Sequence, residues 1–164
     1  MWWILSALIC AEAPNFSIPS IEGKTVVLDS LVQNGYVVMD FWGTWCKPCI
    51  KSLDTFNKLQ DEFKNVTFLS INQNPAYSRN EVKTVVKLHK WKFLTLCDEN
   101  KKVAEALQIK AIPHAFIIGP GRKIVYDHVG YKKGDEQLIR KKLIELLKSC
   151  PMDSTVTPVS SETK

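Results

Sequence analysis

Two cysteines three residues apart, in the segment Trp45-Cys46-Lys47-Pro48-Cys49, are the residues of this chain whose types and spacing could do chemistry. Residues three apart on a helix share a face, so both sulfurs come within bonding reach and can open and close a disulfide. The apolar run Val37-Val38-Met39-Asp40-Phe41-Trp42 just before them reads as a buried strand. That places the pair at the start of the next helix, where unpaired backbone N–H groups favour a thiolate. Cys46 is therefore the candidate nucleophile. Half of a zinc site has the same spacing, but a structural zinc site takes four ligands. Cys10, Cys97 and Cys150 are scattered singly, and His89, His114 and His128 fall in no partner spacing. The redox reading is the stronger one, and no structural metal is expected.

The elements that must position this pair belong to a chain of 164 residues, 45% hydrophobic, which suits one globular domain with a full core. Its formal charge of +5 is mild and its lysines are spread out, so nucleic acid is not an expected partner. The apolar stretch from Trp2 to Cys10 precedes Ala11-Glu12-Ala13, a small-x-small pattern. This reads as a signal peptide, with a cut after Ala11 favoured over one before Pro14. The other reading is an apolar extension that stays as an anchor, the run being too short to span a bilayer comfortably. Residues 1–13 are thus expected to be a signal peptide or N-terminal anchor. The protein is expected to be exported, periplasmic or membrane-tethered and facing outside the cytosol, rather than cytoplasmic. Residues 150–164, rich in Ser and Thr, are expected to form a disordered tail.

Between these ends, Asn15–Pro19 and Thr25–Leu28 flank Glu22-Gly23-Lys24 as an N-terminal hairpin, followed by a helical turn at Asp29–Val32. The strand at Tyr36–Trp42 leads into a cysteine-bearing helix running to about Phe63, with Ile50, Leu53, Phe56 and Leu59 on its buried face. Val66–Ile71 is the next strand, Arg79–His89 a helix, Phe93–Cys97 a strand and Asn100–Leu107 a helix capped by Asn100. Ala115–Ile118 and Lys123–Tyr126 read as a second hairpin across Gly119-Pro120-Gly121-Arg122. A last amphipathic helix covers Asp135–Lys148.

This order resembles the thioredoxin fold. Asp40-Phe41-Trp42-Gly43-Thr44-Trp45-Cys46-Lys47-Pro48-Cys49 looks like its active-site segment, Ala111-Ile112-Pro113-His114-Ala115-Phe116 like its cis-proline loop, and His128-Val129-Gly130 like the glycine near the end of its last strand. The N-terminal hairpin and the helix and strand inserted between Asn72 and Asn100 are similar to the TlpA/ResA-like branch of exported thiol-disulfide oxidoreductases. The resemblance implies an α/β, three-layer fold over residues 14–149, with a mixed central sheet flanked by helices. It also implies that Cys46 attacks a substrate disulfide and Cys49 resolves the mixed disulfide. Asp40 is then a buried acid beneath Cys49, fitted by its environment to take that thiol's proton. Trp45, Ile112 and Pro113 would bind substrate, the Ile112 backbone pairing with it in a strand-like manner. Lys47, Pro48 and His114 would tune the pair. No carboxylate follows the second central strand in Asn72-Gln73-Asn74-Pro75-Ala76, a departure from the cytochrome-maturation relatives.

The activity implied is thiol-disulfide exchange on protein substrates, more on the reductase or isomerase side than the oxidase side. Its partners would be protein thiols and disulfides and an upstream thiol electron donor. No cofactor is implied beyond the Cys46–Cys49 disulfide, and a monomer is expected. The alternative from another class is a copper(I) metallochaperone using the same cysteines, with His114 as a third donor. A peroxidase of the same fold would need Thr three residues before the reactive cysteine, where Gly43 stands.

Overall fold

A computed structural model describes residues 11–149 of the protein. Residues 1–10 of the leader expected over 1–13, the tail from Cys150 onward and any pairing of Cys10 with Cys150 lie outside the described residues. The chain runs β1 (Ser17–Pro19), β2 (Thr25–Val27), α1 (Leu28–Val32), β3 (Val37–Trp42), α2 (Lys47–Glu62), β4 (Thr67–Asn72), α3 (Arg79–Leu88), β5 (Leu94–Cys97), α4 (Lys102–Ala106), β6 (His114–Ile118), β7 (Ile124–Val129) and α5 (Glu136–Ser149). Five strands form one sheet in the order β5-β4-β3-β6-β7. β3, β4 and β5 run parallel, while β6 and β7 are antiparallel to their neighbours. This is the mixed sheet of the expected thioredoxin-like architecture.

β3 sits at the centre and every one of its six residues is buried. Strand alternation sends Val38, Asp40 and Trp42 to one face and Val37, Met39 and Phe41 to the other. The first face packs under Leu53, Phe56 and Leu59 of α2, Val82 of α3, and Ile139 and Leu143 of α5. The second is covered by Leu28 and Val32 of α1 and Val103 and Ala104 of α4, joined by Ala13 and Phe16. Two apolar layers thus enclose the sheet, and a lone carboxylate, that of Asp40, is carried into the α2 side by the strand's period of two.

The N-terminal segment is tied to both ends of the sheet. The β1–β2 hairpin reaches the β5 edge through Ser20, which bridges to Leu96, and through the Ile21 N–H, which donates to the Thr95 carbonyl at 3.0 Å. At the far edge the Ala11 carbonyl accepts from the Ile124 N–H, and the Ala13 N–H donates to the Arg122 carbonyl, both at 2.8 Å. The Arg122 guanidinium donates to the Ala13 carbonyl and pairs with Asp29. Among the described residues no helix is long and apolar enough to cross a membrane.

Two local expectations are corrected. The α4 cap is not Asn100: Lys101 takes a left-handed conformation (φ 56°), and the carboxylate of buried Asp98 accepts from the N–H groups of Val103 and Ala104 at 3.1 and 2.9 Å. A turn closed by the Lys101 N–H on the Asp98 carbonyl brings the acceptor from further upstream than an ordinary cap spacing. β7 also runs past Tyr126 to Val129, which sets Gly130 just after the end of the last strand. Asp98→Ala is expected to cost about 1–3 kcal/mol of stability in urea unfolding, whereas Asn100→Ala should stay within about 0.5 kcal/mol. The reverse ranking would restore Asn100 as the cap.

Candidate active site

Helix α2 begins at the cysteine pair because Pro48 falls in its first turn, where a missing N–H leaves no bond unmade. Cys46 is the N-cap, and the Cys49 N–H points at its Sγ at 3.3 Å. The two are joined in a disulfide, with Cα atoms 5.2 Å apart. Cys46 retains 7% of its surface and Cys49 none, so an incoming partner meets the first sulfur and not the second. Thiolate charge developing on Cys46 would face the Cys49 N–H and the helix N-terminus, which lowers the cost of carrying it.

The strand–helix contact beneath the pair holds Asp40. It is completely buried, and Ser52 Oγ, one helical turn beyond Cys49, donates to its Oδ2 at 2.8 Å. Its Oδ1 has no hydrogen-bond partner. Burial pushes the carboxyl up to about 7, against the opposing pull of Ser52 and the nearby backbone N–H groups of His114 and Phe41. A carboxyl poised there can hold or release a proton near neutrality, on the same helix face as Cys49. Ser52 was not singled out by its sequence, since a lone Ser in an amphipathic helix reads as solvated; its fall three residues after Cys49 was the available signal.

The loop carrying Trp45 is clamped from behind. Thr44 N–H donates to Asn74 Oδ1 at 3.0 Å, Asn74 Nδ2 donates to Thr44 Oγ1 at 2.8 Å, and the Gln73 N–H donates to the Trp42 carbonyl at 2.9 Å. Asn72, Gln73 and Asn74 are all buried, although the sequence reading noted only the carboxylate they lack. Trp42 is a packing residue: its Nε1 donates to Ser70 Oγ and its ring meets Trp91 edge-on. Trp45 is 58% exposed and its ring lies over Gly43, where an added Cβ would come within 2.6 Å of it. A threonine at that place would have to displace Trp45, which speaks against the peroxidase arrangement.

Across the pair, the Ile112–Pro113 peptide is cis and the Ile112 carbonyl lies 3.9 Å from Cys46 Sγ. Gly130, at φ 85° in the left-handed region that glycine accepts freely, donates its N–H to the Pro113 carbonyl at 2.7 Å and steadies this loop. Lys47 and Pro48 are exposed between the sulfurs. His114 does not join the site. Alternation on β6 turns it to the face opposite Ala115 and Ile117, where its buried ring stacks on Phe116 with centroids 4.3 Å apart. Burial pushes its pKa down, and its Nε2 lies 3.7 Å from Asp127. Its imidazole thus lies on the sheet face away from α2. Cys97 is a free, buried thiol whose pKa burial pushes up.

The sequence profile of the AhpC/TSA family matches residues 9–127. The chain is 34% identical over 127 residues to the thiol-disulfide oxidoreductase ResA of Bacillus cereus, covering 77% of this chain and 72% of that protein. Among solved structures it is similar to an uncharacterized thioredoxin-like protein from Porphyromonas gingivalis (TM-score 0.71, 30% identity, covering 83% of this chain and 92% of that one). It is also similar to a thiol-disulfide oxidoreductase from Bacteroides fragilis (TM-score 0.72, 25% identity, 84% of this chain and 100% of that one).

The raised carboxyl of Asp40 has a thermodynamic signature. The unfolded chain gives up this proton near pH 4 while the folded chain keeps it until about 7, so the Asp40 contribution to stability falls across that window and stays low above it. Asp40→Asn removes the penalty and is expected to stabilise the oxidised protein by about 2–4 kcal/mol at pH 8, with no gain at pH 4. Chemical denaturation at the two pH values reads the difference; an equal effect at both would mean that Asp40 is ionised at pH 4 in the folded state.

Proposed function

The chain belongs to the AhpC/TSA family and is a ResA-like protein-disulfide oxidoreductase, and from that premise we propose that its Cys46–Cys49 pair works as a reductase or isomerase of protein disulfides. The observation that carries this reading is the buried Asp40 carboxyl, held near neutrality under the helix turn that bears Cys49. In the reduced protein the Cys46 thiolate attacks one sulfur of a substrate disulfide. The substrate S–S bond breaks, a Cys46–substrate bond forms and one substrate thiolate leaves. Asp40 then takes the Cys49 proton, and the Cys49 thiolate attacks Cys46 Sγ. The second substrate thiolate leaves and the Cys46–Cys49 disulfide remains. Two electrons pass to the substrate, and an upstream thiol donor must return them.

The same groups run backwards to oxidise a dithiol, so direction rests on the potential of the pair. Cys46 is the attacking sulfur because it is the one with exposed surface. Trp45, Ile112 and Pro113 form the platform against which the substrate chain lies, the Ile112 backbone offering strand-like pairing beside Cys46. Lys47 contributes a cation that favours the thiolate, and Pro48 stiffens the turn between the sulfurs. A monomeric domain that takes in Ala11 to Ala13 along the β7 edge, working outside the cytosol with the apolar run ahead of it as leader or tether, completes the proposal.

Insulin reduction with a thiol donor tests it. Cys46→Ser is expected to abolish turnover. Asp40→Asn is expected to slow the resolving step on the order of a hundredfold, from the usual yield of positioned general bases. Asp40 must be ionised to accept a proton, so the wild-type rate of that step should rise with pH and level off above about 7. Ser52→Ala, which removes the hydrogen bond to the charged form, should move that rise to higher pH. Direction is read by equilibration against glutathione: a potential more negative than about −200 mV is expected, and one near about −120 mV, in the range of strong oxidants, would overturn the reductase preference.

A further inference from the structure

Beside the redox pair lies an open cleft of about 430 Å³ lined by Lys47, Pro48, Lys51, Asp54, Tyr131 and Lys133. Lys47 and Pro48 are the two residues between Cys46 and Cys49, so one wall of the cleft is built by the turn that carries the disulfide. The three lysines are exposed, and among the described residues none of their ammonium groups makes an ion pair or hydrogen bond. Six cations elsewhere are paired, Arg79, Arg122 and Arg140 with Glu99, Asp29 and Glu62, and Lys64, Lys92 and Lys142 with nearby carboxylates. Other exposed lysines among the described residues, such as Lys58 and Lys141, also lack an ion pair, and what sets this place apart is that three lysines line one cleft at the redox turn. One carboxylate, Asp54, lines the cleft against the three lysines, and one of its oxygens is taken up by neighbours. Asp54 Oδ1 accepts from Trp91 Nε1 at 2.8 Å and faces His89 Nδ1 at 2.9 Å.

Resting on the oxidoreductase reading above, we propose that this cleft is a docking groove for acidic residues flanking the reactive cysteine of a substrate protein. Three cations against the single carboxylate of Asp54 leave the cleft with excess positive charge, and an anionic occupant relieves the repulsion among the lysines. Because its wall includes Lys47, the residue next to the cysteine that forms the mixed disulfide, its occupant is the chain attached to the substrate cysteine. Lys47 and Lys51 stand four apart on α2, which sets their side chains roughly 6 Å apart at the Cβ level. Alternate residues of an extended strand are spaced by about 7 Å on one face, so an acidic-x-acidic pattern in an extended substrate meets both lysines. Lys133 closes the far wall. The groove therefore selects substrates by charge and speeds their encounter.

Disulfide-linked peptides that share one core sequence and differ in a Glu-x-Glu, neutral or Lys-x-Lys flank test the groove, with bis(2-hydroxyethyl) disulfide as a small neutral substrate. At low salt the wild-type kcat/KM is expected to favour the acidic over the basic flank by about tenfold or more, and the preference should collapse as added salt shortens the screening length. The double variant Lys51→Glu/Lys133→Glu should reverse the order. Equal kcat/KM for the acidic and basic peptides at low salt in the wild type overturns the proposal without recourse to any variant, as does a preference unchanged in a folded double variant. Turnover of the small disulfide without an acidic preference sinks the groove alone. Absence of turnover on every disulfide sinks the oxidoreductase reading and the groove with it.

Discussion

A carboxylate buried in the contact between β3 and α2 is the constraint around which this molecule is arranged. Asp40 lies in a central strand otherwise wholly apolar, has no cationic partner in the core, and leans on a single side-chain hydrogen bond from Ser52. An ionised group so placed is expensive, so the protein holds its proton to near neutrality. The apolar layers on both sheet faces must supply the stability that this arrangement costs. That penalty falls on a carboxyl bonded to Ser52, one helical turn beyond Cys49, and the proton-accepting role proposed for Asp40 rests on it.

Around that acid the reactive loop is held from three directions. From below, the N-terminus of α2 presents the Cys49 N–H to Cys46. From behind, the side chain of Asn74 binds both the backbone and the hydroxyl of Thr44, and is itself held by Asn72. From across, the cis Ile112–Pro113 peptide is steadied by Gly130. These supports come from strand ends that meet at one end of the sheet, which is why residues distant in sequence converge on two sulfurs. The unequal exposure of the cysteines follows: the helix cap faces outward and the residue one turn in faces the core. A positively charged cleft then continues the surface away from the exposed sulfur.

Much of this was legible because periodicity is local. The continuous apolar run at Val37–Trp42 marks a strand buried on both faces, and the spacing of Leu53, Phe56 and Leu59 marks the buried stripe of α2. Elements with strong patterns appear within a residue or two of where composition puts them. What escaped were interactions whose partners are set by the path of a loop. Asp98 displaces Asn100 as the α4 cap because Lys101 turns left-handed, a choice no pattern announces. Ala11 and Ala13, grouped with an apolar leader on their small side chains, bond to the chain around Arg122 and Ile124 more than a hundred residues away. The Asn72–Asn74 run reads as a polar loop, yet its side chains are buried because they serve as backbone clamps.

The sequence by itself determined the thiol pair, its place at a helix start, the order of strands and helices, and the family to which they belong. Those properties depend on residue type and near-neighbour spacing. Only the tertiary structure decided which groups share the site. It brought Ser52 to Asp40, set Ile112 beside Cys46, turned His114 to the opposite face of the sheet, and left Lys47, Lys51 and Lys133 unpaired around one cleft. Each outcome is fixed by strand register and helix docking, which relate residues by position across the sheet and not by distance along the chain.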